Sequence, residues 1–145
     1  MVNAYADTSF LFSLYVPQAH TARAVAHFTA MKEPLHLTSL NRFELTNAIQ
    51  LALFRKTILA RHAQAALAAV EDDIATGATF LVPCDWAAAH GRALQISTHY
   101  TAREGHRGFD ILHIATALEL GAKDFLTFDT RQTSLAKAVG LKVKL

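Results

Sequence analysis

Four acidic residues could act together in this chain: Asp7, Glu44, Asp110 and Asp129. They lie far apart in sequence, so only folding can assemble them. Carboxylates gathered in one crevice repel each other unless counter-charge is supplied. A hard divalent cation resolves that repulsion, and Mg²⁺ or Mn²⁺ suits a site of carboxylates and water. Such an ion activates water and offsets charge on a phosphodiester. Phosphodiester hydrolysis is therefore the chemistry this set best supports.

Gathering these acids requires an alternation of short strands and longer helices, and local signals mark one. Val2–Ala6 is a short apolar run ending at the helix-start signal Asp7-Thr8-Ser9. Phe10–Tyr15 and Ala19–Met31 have helical composition, separated by Pro17. Leu35–Thr38 is a second strand, and Ser39-Leu40-Asn41 opens a strong helix. Its apolar positions Phe43, Leu45, Ala48, Ile49, Ala52 and Leu53 have the spacing of a buried face. Leu59–Ala75 is a helix ended by Gly77, and Thr79–Val82 is a third strand closed by Pro83. Asp85 is placed to cap a helix from Trp86 to about Tyr100. A polar stretch, Thr101–Gly108, precedes the apolar helix Phe109–Leu120. Phe125–Phe128 is a fourth strand, Thr133–Val139 a last helix, and Leu141–Leu145 a fifth strand whose alternating lysines suit an edge.

This order predicts an α/β fold, a single domain over residues 1–145 with a five-stranded parallel sheet flanked by helices. Right-handed crossovers put all strand C-termini on one edge, where ligands bind. Asp7 and Asp129 directly follow strands one and four. Glu44 lies early in the helix after strand two. Asp110 opens the helix that feeds strand four, so it starts at the same edge. All four acids are thus expected at one crevice.

Each acid also has a structural explanation. Asp7 and Asp129 sit where helix caps are expected. Asp129 with Gln132, and Asn41 with Glu44, have capping-box spacing. Asp110 suits a first helical turn electrostatically. Against this, Glu44 and Asp110 lie amid apolar neighbours, costly company for an acid without a partner. His113, one turn after Asp110, could be a ligand or a partly buried histidine. Thr8, Ser9 and Thr127 could supply hydrogen bonds beside a metal, or serve local capping and strand packing. Arg103, Arg107 and Arg131, and less directly Lys123, could hold a nucleic-acid backbone near the acids, or be solvated loop residues. Glu71-Asp72-Asp73 reads as surface only.

Composition narrows the alternatives. A length of 145 residues, 52% of them hydrophobic, suits one core and excludes a largely disordered chain. The single cysteine, Cys84, excludes an internal disulfide framework and a multi-cysteine zinc site, and reads as a small core residue. The N-terminus shows no secretory signal, and no apolar run approaches the roughly 18–20 residues of a membrane span, so a cytoplasmic protein is expected. A net charge of +2 is too mild to announce nucleic-acid binding, although local distribution decides that.

Four segments carry a family resemblance. Tyr5-Ala6-Asp7-Thr8-Ser9-Phe10-Leu11 resembles the opening of a PIN domain, and Arg42-Phe43-Glu44-Leu45 its second acidic motif. Phe109-Asp110-Ile111-Leu112-His113-Ile114-Ala115-Thr116-Ala117 is similar to the third, and Phe125-Leu126-Thr127-Phe128-Asp129-Thr130 to the fourth. The resemblance covers nearly the whole chain, in order. It implies a metal-dependent endoribonuclease, the toxin of a toxin–antitoxin pair of VapC type. Asp7 and Asp110 would be direct ligands of Mg²⁺ or Mn²⁺, with Glu44 and Asp129 completing the site directly or through water. Thr127 matches a position where the family often carries a hydroxyl. A homodimer and a small antitoxin partner are implied, with apolar surface between Ala19 and Ala75 as the expected contact.

One departure stands out: Thr130-Arg131-Gln132 follows Asp129, where many relatives place another acid. That predicts one well-occupied metal, with a second only when substrate is bound. The competing function is a PIN-like RNA-binding or interaction module without turnover. A phosphatase with Asp7 as nucleophile fits poorly, because Ser9 stands where such enzymes typically carry a second acid.

Overall fold

The computed structural model describes residues 2–145. Its strands are β1 (Ala4–Ala6), β2 (Leu35–Leu37), β3 (Thr79–Leu81), β4 (Asp124–Leu126) and β5 (Lys142–Val143). Its helices are α1 (Thr8–Tyr15), α2 (Thr21–Ala30), α3 (Ser39–Phe54), α4 (Ala60–Thr76), α5 (Trp86–Ile96), α6 (Ala102–Glu104), α7 (Gly108–Glu119) and α8 (Thr130–Ala138). The expected order of strands and helices is therefore present. A π-helical turn, Ser97–Thr101, forms the end of the helix expected to run to about Tyr100, and the short α6 lies in the polar stretch Thr101–Gly108, where no helix is expected. Among the described residues, no helix is long and apolar enough to cross a membrane.

Local chemistry explains the boundaries. Thr38 and Asn41 form the capping box that starts α3: the Asn41 side chain accepts from the Thr38 backbone, and Thr38 accepts from the Asn41 N–H. Glu44 is therefore not the capping-box partner of Asn41; the box lies one turn earlier, because Thr38 rather than Asn41 is the last extended residue. Gly77 ends α4 at φ +81°, a left-handed conformation that side chains resist. Asp85 caps α5, accepting from the Ala88 N–H at 3.0 Å.

The chain divides into two units, residues up to Asp7 with Pro83–Leu145, and Thr8–Val82. In the first, β1, β4 and β5 form a parallel sheet in the order β1-β4-β5. Helix α7 lies along α5 and contributes a continuous buried run from Ile111 to Ala117. Tyr5, Phe125, Leu126, Ile114 and Leu135 are fully buried there, each side chain contributing about 2–3 kcal/mol by leaving water. In the second unit, β2 and β3 pair in parallel, with α3 against α1 and α4. Phe10, Leu11, Leu35, Leu37, Leu45 and Ile49 form its core.

The expected single five-stranded sheet is corrected by this pairing. Among the described residues, all five strands form and all pairings are parallel, but they make a ladder of three and a ladder of two. The edge position of β5 is as its lysines suggest, with Lys142 exposed.

A second correction concerns α3. Leu45, Ile49 and Ala52 are buried, but Phe43 is 62% exposed. Its position fits the apolar period, yet it lies on the solvent side, and Asn41 takes a buried place through its capping bonds.

Candidate active site

In the first unit the ladder brings Asp7 and Thr127 side by side. Tyr5 is opposite Phe125 in the β1–β4 register, so two residues further on Asp7 falls beside Thr127, on the same face. The Asp7 N–H donates to the Leu126 carbonyl at 3.0 Å, continuing the ladder past the strand end. The Thr127 hydroxyl donates to Asp7 Oδ2 at 2.5 Å. Asp7 is 3% exposed and Thr127 1%. Of the four acids, only Asp7 is buried.

The same hydroxyl accepts from the Asp129 N–H at 3.0 Å. Asp129 in turn caps α8, its Oδ1 accepting from the Arg131 and Gln132 N–H groups at 2.8 and 3.4 Å. The capping role foreseen for Asp129 is thus present, and Thr127 joins Asp7 to that cap. One small hydroxyl organises the C-terminal ends of two paired strands and the start of the helix that follows.

Asp110 reaches this end of the unit by helix direction. Helix α7 leads into β4 through a short connection, so its first turn lies toward the strand C-termini. Asp110 is half-buried, and the Arg107 Nε donates to its Oδ2 at 3.2 Å. The Arg107 side chain is 78% exposed. Arg103 donates to the His99 carbonyl at 3.3 Å, and both Arg103 and Arg131 are exposed. All three arginines present charge to solvent, and the Arg107 side chain meets Asp110. Lys123 is exposed as well, at the N-terminal side of β4.

In the second unit, Glu44 lies in the second turn of α3 and is half-buried. The Thr8 hydroxyl donates to its Oε1 in a short hydrogen bond. Thr8 is thus a partner of one of the predicted acids, as Thr127 is of another. Ser9 accepts through its carbonyl from the Ser13 hydroxyl at 2.9 Å, a helix contact.

The company of Glu44 and Asp110 is mixed: Leu45 and Ile111 are buried, and each acid has a partner, Thr8 for Glu44 and Arg107 for Asp110. Their neighbours Phe43 and Phe109 are 62% and 50% exposed. Adjacent helical residues point about 100° apart, so an apolar neighbour in sequence does not bury an acid.

Other side chains take roles that sequence leaves open. His113 is fully buried, and its Nδ1 is 2.7 Å from the Tyr5 hydroxyl. Tyr15 donates to Asp73 Oδ2 at 2.6 Å; burial first, then this bond and the Asp73 charge, hold its phenol far above the usual range. Arg42 makes a bidentate pair with Glu71 at 2.7–2.8 Å. The acidic run at 71–73 is therefore not only surface: two of its members tie α4 to α3 and α1, because helix spacing turns them toward neighbours. Burial, followed by Glu119 and Asp85, pushes the Cys84 thiol up, which opposes a thiolate nucleophile.

The donor chemistry suits a hard cation: a buried carboxylate, half-buried carboxylates and hydroxyls, all oxygen. Among the described residues, no three His, Cys, Asp or Glu side chains already form a group that could hold a metal. The acids of the first unit are brought to one end of its sheet, not into a finished cage.

Residues 4–138 match the family model for the PIN domain. No curated protein matches the sequence. Among solved structures the chain is similar to VapC20 of Mycobacterium tuberculosis, a toxin that cleaves the sarcin–ricin loop. The TM-score is 0.70 at 18% identity, over 99% of this chain and 100% of that one. It is also similar to FitAcB from Neisseria gonorrhoeae, with a TM-score of 0.63 at 17% identity, over 98% of this chain and 96% of that one. At such identities the likeness is one of fold.

Proposed function

This chain belongs to the PIN domain family, and from that premise we propose that it is a metal-dependent endoribonuclease, the toxin of a toxin–antitoxin pair. The observation that carries the proposal is the buried Asp7 carboxylate, held by Thr127 at the end of β1 and linked through it to Asp129. A buried carboxylate is costly without a matching charge, and oxygen ligands favour Mg²⁺ or Mn²⁺.

In this reading Asp7 and Asp110 hold the ion, and Glu44 and Asp129 complete the site directly or through water. The chemistry such an ion supplies is activation of water and offset of the negative charge on a phosphodiester. Thr127 fixes the rotamer of Asp7, and Thr8 fixes that of Glu44. Arg103, Arg107 and Arg131 steer and hold the RNA backbone, with Arg107 anchored beside Asp110. No second acid follows Asp129, so one ion is held in the absence of RNA.

The proposed partners are RNA, a small antitoxin and a second copy of the chain, in the cytoplasm. The VapC20 toxin, which cleaves the sarcin–ricin loop, supports the first. The exposed Phe43, Leu51 and Phe54 on α3, in the segment where a protein contact is expected, support the protein contacts.

The test is RNA cleavage by purified protein with Mg²⁺, Mn²⁺ or EDTA, beside Asp7→Asn and Asp110→Asn proteins prepared identically. The expected result is cleavage that needs metal and both carboxylates. Undiminished cleavage by either variant refutes the site. RNA binding by folded wild type without cleavage on any of several structured RNAs favours the non-catalytic module.

A further inference from the structure

Tyr5 and His113 are fully buried polar residues that the proposed chemistry does not use, and they meet across 108 positions of sequence. The Tyr5 hydroxyl and His113 Nδ1 are 2.7 Å apart. The two rings lie 5.8 Å apart between centroids, and Tyr5 also stacks on Phe125 at 6.0 Å with 12° between ring planes. Both partners belong to the first unit.

Their placement relative to two of the acids is regular. Tyr5 and Asp7 are two residues apart, on the same face of an extended chain. His113 and Asp110 are three residues apart, on the same face of α7. Because Tyr5 reaches α7, the face that carries Asp7 is the face turned toward α7. The directions also agree. Helix α7 precedes β4, and β4 runs parallel to β1, so α7 runs opposite to β1. Moving from Tyr5 to Asp7 advances about 7 Å toward the strand C-terminus. Moving from His113 back to Asp110 advances about 4.5 Å toward the same end. Both acids thus lie beyond the buried bond, toward the same end of β1 and α7.

We propose that Tyr5 and His113 are positioning residues, whose buried hydrogen bond fixes the distance between β1 and the first turns of α7 and so the separation of the Asp7 and Asp110 carboxylates. The inference deepens the metal-site reading above and rests on it. A direct ligand role for His113 is not part of it. Loss of a group bonded directly to a metal ligand typically costs 10–100-fold in affinity; this bond acts through the backbone elements that carry the ligands, so the low end, about tenfold, is expected.

The test is Mn²⁺ titration of the full chain, followed by calorimetry and by the Mn²⁺ electron paramagnetic resonance signal. Tyr5→Phe removes only the hydroxyl and keeps the ring on Phe125. His113→Leu removes the other partner, and His113→Asn keeps a polar atom near the position of Nδ1. Urea unfolding in EDTA identifies the conditions in which each protein is folded. The expected result is a Mn²⁺ dissociation constant raised about tenfold in Tyr5→Phe and His113→Leu, with His113→Asn within about threefold of wild type. The double variant Tyr5→Phe/His113→Leu is expected to bind no more weakly than the singles, because both remove one bond. A purely structural role would lower stability and leave the dissociation constant of the folded protein unchanged. Folded Tyr5→Phe that binds Mn²⁺ like wild type overturns the inference while leaving the metal site standing. Folded wild type that takes up no Mn²⁺ overturns the metal-site reading itself, and the inference with it.

Discussion

Replacing Thr127 by Val tests the centre of the site without touching an acid. Valine keeps the branched shape and exchanges the hydroxyl for a methyl group. The bonds lost include the donation to Asp7 Oδ2 at 2.5 Å and the acceptance from the Asp129 N–H at 3.0 Å. A hydrogen bond to a charged group contributes about 1.5–3 kcal/mol, and a buried donor left without its acceptor costs about 1–3 kcal/mol. Asp129 is only half-buried, so water recovers part of the second term. The expected loss is therefore about 2–4 kcal/mol, a large share of the roughly 5–15 kcal/mol that holds a domain together. With a urea slope of about 2 kcal/mol per molar, the unfolding midpoint in EDTA falls by about 1–2 M. Thr127→Ser keeps the hydroxyl and is expected to recover most of the difference. A midpoint shift below about 0.3 M in Thr127→Val, on an unchanged slope, would refute the argument that this hydroxyl organises the strand ends.

Three further outcomes are expected. Tyr15→Phe loses the bond to Asp73, costing about 1 kcal/mol near neutral pH. The raised Tyr15 pKa means that this tyrosine stabilises the fold fully below about pH 10 and loses that contribution as pH rises. The stability gap between wild type and Tyr15→Phe should therefore narrow in urea titrations taken from pH 8 to 11, and a constant gap would contradict it. Arg107→Ala, at a 78% exposed side chain, should change stability by less than about 0.5 kcal/mol. On an Asp7→Asn background, which keeps RNA intact, it should weaken RNA binding and lower the salt slope by about one; an unchanged slope would remove Arg107 from the interface. Asp85→Ala removes the cap on the Ala88 N–H and should cost about 1 kcal/mol by thermal unfolding, with no change in Mn²⁺ affinity.

The order of elements and their approximate ends were legible in sequence because their causes are local. Gly77 ends α4, Pro83 closes the segment after β3, and Asp85 starts α5, each through the backbone of its own neighbourhood. The candidate acids could be named for the same reason: each follows a strand or lies early in a helix. What could not be read were the relations between distant segments. The division of the strands into three and two depends on which backbones meet, and alternation of apolar residues is the same in either arrangement. Periodicity likewise placed Phe43 on a buried face, whereas the surroundings of α3 leave it in solvent.

The polar contacts divide along the same line. Caps at Asp85 and Asp129 span two or three residues and follow from residue type and position. The bonds of Thr127 to Asp7, of Tyr5 to His113 and of Tyr15 to Asp73 join residues 120, 108 and 58 positions apart. No local propensity selects such partners; the path of the chain through strand register and helix direction does. The sequence by itself determined which residues could carry charge, cap helices and end strands. Tertiary structure decided which carboxylate is buried and which hydroxyl holds it, because burial and long-range hydrogen bonding belong to the assembled fold rather than to any segment.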